Sequence, residues 1–147
     1  MNRIVALLIA SVISASLVRA ADVNVEVYVT STPGGEEETS FAPDTPKLFA
    51  MFKTKGIKDG DKVRGILIAE DVGDVAPANT KVFEKTLALD EDTDDGDFNF
   101  GKPTKGWPVG KYRVEIYVND ELAATTKFTI KAAKSEKGSE NEESSKD

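Results

Sequence analysis

The stretch that decides the fold runs from Trp107 to Ile130 and reads WPVGKYRVEIYVNDELAATTKFTI. Two runs within it alternate apolar with polar residues, which is typical of half-buried β-strands. The apolar face of the first run comprises Tyr112, Val114, Ile116 and Val118, and the face expected to be buried in the second comprises Leu122, Ala124, Thr126, Phe128 and Ile130. Asn119 and Asp120 stand between the runs, and both residue types tolerate the positive φ of a tight turn. The stretch therefore predicts a β-hairpin.

Shorter segments with the same alternation precede the hairpin. Four of them predict β-strands, and these cover residues 23–30, 47–55, 61–70 and 81–89. For residues 81–89 a helix is the alternative that the pattern leaves open. A further short strand is expected around Phe98 and Phe100, whereas two prolines between residues 41 and 46 favour an irregular edge segment. About seven short strands separated by turn residues predict an all-β fold, a single antiparallel two-sheet sandwich.

The entrance to the hairpin resembles a known family. Gly110-Lys111-Tyr112 is similar to the Gly-x-Tyr approach to strand F of immunoglobulin-like domains, and the whole hairpin resembles the last hairpin of bacterial extracytoplasmic members. The resemblance implies an immunoglobulin-like β-sandwich in which the Tyr112 hydroxyl bonds back to the preceding turn. The chain departs from antibody-type domains because it lacks their cysteine pair and a tryptophan in the third strand.

The N-terminal residues 1–20 predict a signal peptide. Arg3 supplies a positive start, an apolar run follows over residues 4–15, and Ala20 ends the segment with a small residue. We expect cleavage before Ala21, and a retained N-terminal anchor is the alternative. The mature protein would then be exported, either periplasmic or extracellular, with no stable membrane insertion after cleavage.

The remainder divides into a domain and a tail. Residues 21–131 are long enough for one domain with its own core. Residues 132–147 contain no large apolar side chain and are dominated by Glu, Ser and Lys, so they predict a disordered charged tail. Removing residues 1–20 takes away two arginines and no acid, which changes the formal net charge from −7 to −9. Such an acidic chain is repelled by phosphate backbones, so we expect no nucleic-acid partner.

The chain contains neither cysteine nor histidine. Disulfides, zinc sites, type-1 copper sites and Ser-His-Asp or Cys-His nucleophiles all require residues that it lacks. Carboxylates, lysines and serines remain, and no pair of them stands out as catalytic. We therefore expect a binding or accessory module and no enzyme.

An acidic stretch offers a candidate calcium loop. It holds six acids over residues 90–97, and the candidate ligands are Asp90, Asp92, Asp94, Asp95 and Asp97. Calcium prefers several carboxylate and carbonyl oxygens from one flexible loop, so a weak Ca²⁺ site is one hypothesis. An EF-hand register from Asp90 fails, because Asp95 falls where Gly is required and Gly101 where Glu is required. The alternative is a solvated acidic turn that keeps edge strands apart.

The strand over residues 61–70 carries a candidate interface. Ile66 and Ile68 lie on its second face, which a one-sided sheet would keep polar. If the hairpin is adjacent, Arg113 and Tyr117 share that face, and such a mixture is enriched at interface centres. The alternative is that the loop over residues 71–80 covers the two isoleucines, or that they are ordinary exposed apolar side chains without a partner.

Trp107 is the single tryptophan and is a further candidate contact. Exposed, it could anchor a protein partner or stack on a sugar; buried, it would cap the end of the core. The sequence as a whole predicts an exported, non-catalytic module that binds a protein of the cell envelope. A weak calcium- or carbohydrate-binding module is the alternative, and the oligomeric state is left open.

Overall fold

A computed structural model describes residues 23–132 of the chain. They form the strands β1 (Asn24–Thr30), β2 (Ser40–Phe41), β3 (Lys47–Lys55), β4 (Lys62–Asp71), β5 (Thr80–Ala88), β6 (Asp95–Gly101), β7 (Gly110–Val118) and β8 (Glu121–Ile130). The signal peptide predicted for residues 1–20, and all but the first residue of the tail predicted for 132–147, lie outside the described residues. Within the described range, no helix is long and apolar enough to span a bilayer.

The strands form two sheets. One has three strands in the order β1-β3-β6, and the other has five in the order β2-β8-β7-β4-β5. All pairings are antiparallel except that of β2 with β8, which is parallel and two residues long. The predicted two-sheet sandwich is confirmed. The segment predicted to be an irregular edge contributes the eighth, very short strand, β2.

The hairpin of β7 and β8 is confirmed. Asn119 and Asp120 have φ values of 47° and 68°, the left-handed backbone that their residue types tolerate. The turn is also tied to β4, because the Lys62 amide donates to Asn119 Oδ1 at 3.0 Å and the Asn119 amide donates to the Lys62 carbonyl at 2.9 Å. These bonds fix the hairpin against the strand beside it.

The face predicted for the start of β8 is wrong. Ile116 pairs with Ala124, but the next residue, Tyr117, pairs with Leu122, so Ala123 is an extra residue in a β-bulge. Directly opposed residues share a face of the sheet, and Leu122 therefore lies beside Tyr117, away from the core. Its side chain is 56 % exposed. The predicted alternation holds only from Ala124 onward.

The core lies between the two sheets. On the five-stranded sheet it includes Val63, Leu67, Val114 and Ile116, and on the three-stranded sheet it includes Val29, Leu48, Phe52 and Phe98. Gly65 lies at the centre, where a Cβ atom would be 2.6 Å from the Phe98 ring. A larger residue there would displace the ring, so close contact between the sheets depends on this glycine.

Candidate functional site

The outer face of the five-stranded sheet is the side turned away from β1, β3 and β6. On β4 and β7 it carries Arg64, Ile66, Ile68, Glu70, Arg113, Glu115 and Tyr117. The strand register pairs Arg64 with Tyr117, Ile66 with Glu115 and Ile68 with Arg113. The fold thus brings together Ile66, Ile68, Arg113 and Tyr117, four of the residues that the sequence nominated for an interface.

Ile66 and Ile68 are nevertheless mostly covered. Each is 9 % exposed, although neither belongs to the core cluster between the sheets. Their cross-strand neighbours are the long side chains of Glu115 and Arg113, which can lie over them. A partner approaching this face would meet those polar side chains before it met the isoleucines. This differs from both interpretations of the sequence, which had either bare isoleucines or a loop above them.

A chain of hydrogen bonds crosses the outer face. Arg113 Nε donates to Glu115 Oε1 at 2.8 Å, and Arg113 Nη1 donates to Asn79 Oδ1 at 2.8 Å. The same Nη1 lies 3.5 Å from Glu70 Oε1, and the Tyr117 hydroxyl donates to Glu115 Oε2 at 2.6 Å. Glu115 is thus held from both sides. Because each bond restricts the rotamers of its partners, the face is ordered before any ligand arrives.

These contacts also set the protonation of the face. Burial raises the pKa of the Glu115 carboxyl, but hydrogen bonds from Tyr117 and Arg113 and the charge of Arg113 outweigh it, and the net pKa lies below its ordinary value. The hydrogen bond to Glu115, aided by burial, raises the pKa of Tyr117. At neutral pH the face therefore presents an anionic Glu115, a cationic Arg113 and a neutral phenol.

A more exposed cluster continues from this network toward the β7–β8 turn. The guanidinium carbon of Arg64 lies 4.7 Å from the centre of the Tyr117 ring, a cation–π contact. Arg64 also pairs with Glu84 at 3.4 Å and with Asp120 at 3.5 Å. Leu122, re-aimed by the bulge in β8, lies opposite Tyr117 on the same face. An arginine, an aromatic ring and an exposed leucine thus adjoin one another.

Trp107 is not part of this surface. Its side chain is 3 % exposed, its Nε1 donates to the Thr45 carbonyl at 2.9 Å, and its ring meets Tyr112 edge to face at 6.5 Å. A ring buried in this way has no free face on which a sugar could stack. Trp107 belongs to the core, as the alternative interpretation held, and is removed from the candidate interface.

The acidic loop does not gather its carboxylates. Asp90 Oδ1 accepts a hydrogen bond from Thr93 Oγ1 at 2.7 Å, and the Asp94 carbonyl accepts the Thr54 amide at 2.7 Å. Asp95 and Asp97 belong to β6, where they lie two positions apart on its exposed face. Among residues 23–132, no group of three or more His, Cys, Asp or Glu side chains is placed to hold a metal ion. The calcium site over Asp90, Asp92, Asp94, Asp95 and Asp97 stays a prediction.

Comparison with known proteins identifies the fold. No family model and no curated protein matches the sequence. Among solved structures, an immunoglobulin-like protein from Pseudomonas aeruginosa is similar, with a TM-score of 0.53 at 17 % identity. The alignment covers 76 % of this chain and 98 % of that one. The fold is immunoglobulin-like.

This chain also resembles parts of two larger proteins of known structure. An alkylpurine DNA glycosylase from Pseudomonas fluorescens gives a TM-score of 0.47 at 14 % identity, covering 76 % of this chain and 31 % of the glycosylase. A β-glucosidase from Streptomyces venezuelae gives 0.41 at 13 % identity, covering 74 % and 15 %. Similarity at this level carries no argument about activity.

The immunoglobulin-like domain includes the tyrosine corner that the sequence resemblance implied. The Tyr112 hydroxyl donates to the Pro108 carbonyl at 2.6 Å, and its ring stacks on Phe128 at 5.2 Å. Burial raises the pKa of Tyr112 to about 12, so the phenol stays a donor throughout the physiological range. Gly110 precedes this corner with a φ of 152°, and a Cβ there would lie 2.0 Å from the Asp71 carbonyl oxygen.

Sequence reasoning missed two groups of exposed apolar residues. Leu122 was assigned to the core, because a bulge leaves no trace in the alternation of residue types. Val75 and Val82 were not singled out, yet both are exposed and line one groove. The 3₁₀ turn that exposes Val75 and the bulge that re-aims Val82 become apparent only from the structure.

Proposed function

We propose that this chain is a non-catalytic binding module whose outer face contacts a protein partner at the cell envelope. The immunoglobulin-like fold and the predicted signal peptide support this class of function, without identifying the partner. The observation that carries the proposal is the bulge in β8, which places Leu122 beside Tyr117 and Arg64 on one surface.

The composition of this surface supports protein recognition. Aromatic residues and arginine are enriched in interface centres, and tyrosine and arginine are frequent among the residues that dominate binding energy. Tyr117 and Arg64 are held against each other, and Tyr117 is further fixed by its bond to Glu115. Side chains that are already ordered lose less conformational entropy on association, so the face is prepared for binding.

The alternative function has less support. A carbohydrate module would need an exposed aromatic platform, and Trp107 is buried. A calcium module would need converging oxygens, which the described acidic residues do not supply. Neither observation favours a second candidate.

The experiment uses the intact protein and an envelope fraction from the organism that makes it. Wild type and Leu122→Asp are each coupled to beads, and captured proteins are compared after crosslinking. We expect one or more proteins retained by wild type to be lost with Leu122→Asp, while the melting temperature stays close to that of wild type, because Leu122 is exposed. Tyr117→Ala should show the same loss of capture.

Val109→Asp provides the matched control. Val109 is exposed, follows the buried Trp107 by two positions and precedes β7, outside the strands that form the outer face. It adds the same charge at another site, so its capture profile should equal that of wild type. If Leu122→Asp and Tyr117→Ala retain every captured protein, the outer face is not the contact surface.

A further inference from the structure

A second apolar feature lies at the end of the sandwich that is formed by the β4–β5 and β6–β7 loops. It is an open groove of about 430 Å³. Its walls include Val72, Val75, Val82, Pro103, Trp107 and Pro108, and Lys105 is the single charged residue among those lining it. Val75 is 69 % exposed and Val82 is 46 % exposed. These are two of the four large hydrophobic side chains that residues 23–132 leave exposed.

An irregularity in β5 places Val82 at the groove. Phe83 pairs with Leu67 and Lys81 pairs with Ile68, which leaves Val82 as the extra residue of a bulge. In a regular strand Val82 would lie on the face opposite Phe83, whereas the bulge brings it to the groove at the end of the core. Bulges occur often at sheet edges and near binding sites, where they re-aim one side chain.

The opposite rim is an ordered loop. Gly73, at a φ of 62°, donates its amide to Asp71 Oδ1 at 3.0 Å and begins the 3₁₀ turn that ends at Val75. Asn79 closes the loop, since its amide donates to the Glu70 carbonyl at 3.1 Å and its φ is 57°. The loop thereby holds Val75 away from the core. Exposing both valines adds nothing to the stability of the fold, but it gives the groove two apolar rims.

We propose that this groove docks a large aliphatic or aromatic side chain of a partner polypeptide that carries a carboxylate beside that side chain. The groove is open along one side, whereas sites for small ligands enclose most of the ligand surface. A side chain supplied by a protein surface needs only such a partial enclosure. Lys105 stands at the groove and would pair with the neighbouring carboxylate, which fixes the charge of the partner at this point.

Two other occupants fit less well. Residues 132–147 supply carboxylates but no large apolar side chain, so the tail of this chain cannot fill the groove. A second copy would meet the groove through a two-fold contact, which brings equivalent patches and their Lys105 side chains toward each other. Each copy also carries a formal net charge of −7, which opposes self-association. Charge thus favours a different protein.

A random dodecapeptide phage library, selected on the immobilised intact protein, tests the proposal. We expect enriched peptides to share one large apolar residue with Asp or Glu next to it. Synthetic versions should lose about tenfold or more in affinity for Val75→Asp and for Val82→Asn, because each change makes one rim of the groove polar. Lys105→Glu should shift the selection toward peptides with Lys or Arg beside the apolar residue.

The control is a substitution at an exposed residue outside the groove. Leu122→Asp adds the same charge on the outer face, away from the groove lining, and should bind the peptides as wild type does. No enrichment, or peptides that bind the groove variants unchanged, would overturn the proposal. Sedimentation that shows a dimer abolished by Val75→Asp would assign the groove to a second copy instead. The outer-face proposal is tested with Leu122→Asp and Tyr117→Ala, whereas the groove is tested with Val75→Asp and Val82→Asn. Failure of the first proposal therefore leaves the peptide-binding result for the groove unaffected.

Discussion

Both faces of the β4–β7 strand pair carry aliphatic side chains that are largely buried, but different groups bury them on the two faces. On the inner face, Leu67 is sealed by the opposing sheet and has no exposed surface. On the outer face, the neighbouring Ile66 keeps 9 % of its surface exposed and lies among charged side chains of the same sheet. A packed sheet cannot relax into a void, whereas flexible polar side chains and water can. Truncating two similarly buried side chains, one on each face, should therefore change the free energy of unfolding by different amounts.

The largest expected effect separates the two faces directly. Leu67→Ala should lower the free energy of unfolding by about 2–5 kcal/mol, because the cavity lies between two rigid sheets. Ile66→Ala should lower it by roughly half as much, since the Glu115 and Arg113 side chains can settle into the vacated space. Urea denaturation of both variants measures the difference. Equal losses would show that the outer isoleucines are packed as tightly as a second core.

The two tyrosines of β7 provide the next comparison. Tyr112→Phe should lower the free energy of unfolding by about 1–2 kcal/mol, because the Pro108 carbonyl loses its donor at the tyrosine corner. Tyr117→Phe should cost less than about 1 kcal/mol, since Glu115 keeps its bond from Arg113 and water can reach the outer face. Thermal denaturation of the two variants tests the order. A larger loss for Tyr117→Phe would mean that the outer network stabilises the fold more than the corner does.

Acid should act on the outer face through Glu115. Its pKa in the folded state is below the ordinary value, so its ionised form stabilises the fold above the unfolded pKa of about 4.3. That contribution disappears as the pH falls through the lower, folded pKa. Glu115→Gln should thus be less stable than wild type at pH 7, by about 1 kcal/mol, and the gap should narrow below about pH 4. The difference in stability between wild type and Glu115→Gln is the quantity to compare at each pH. It cancels the effect of other acids, such as Glu38 and Asp61, whose pKa values are also lowered. A gap that is constant with pH would contradict this assignment.

The smallest effect is expected at the acidic loop, where carboxylates face solvent without the cationic partners of the outer face. Millimolar Ca²⁺ should leave the melting temperature nearly unchanged, because no three carboxylates of the described residues are placed together to hold an ion. Calorimetric scans with and without Ca²⁺ provide the measurement. A clear rise that Asp92→Asn together with Asp94→Asn abolishes would instead establish the weak calcium site.

The sequence predicted those features that depend on alternation and on turn chemistry. The central hairpin, its Asn119-Asp120 turn and the tyrosine corner were all accessible, because each rests on residue types at fixed spacing. β-Bulges interrupt the alternation, because one extra residue re-aims a side chain without altering the composition. The exposed positions of Leu122 and Val82 were therefore missed.

The sequence predicted which residues form the candidate site, but not which side chains cover its isoleucines. Pairing of β4 with β7 brought Ile66, Ile68, Arg113 and Tyr117 together as expected. What covers the isoleucines depends on the rotamers of Arg113 and Glu115, and these follow from the bonds to Asn79 and Tyr117. The bond from Arg113 to Asn79 joins residues 34 positions apart, so no local pattern records it. The same holds for Trp107, whose burial depends on the Thr45 carbonyl 62 positions away.

The parallel pairing of β2 with β8 bears on how the domain responds to force. Val23 and Lys131 lie at opposite ends of the sandwich, because β1 begins beside Lys55 and β8 ends beside Gly110. Tension between these points would slide β1 along β3, and β8 along both β2 and β7, so that the bonds of each ladder are loaded together. Forced unfolding is governed by the unfolding rate, which such shear geometry slows. A chain held at both ends would therefore resist pulling without any disulfide.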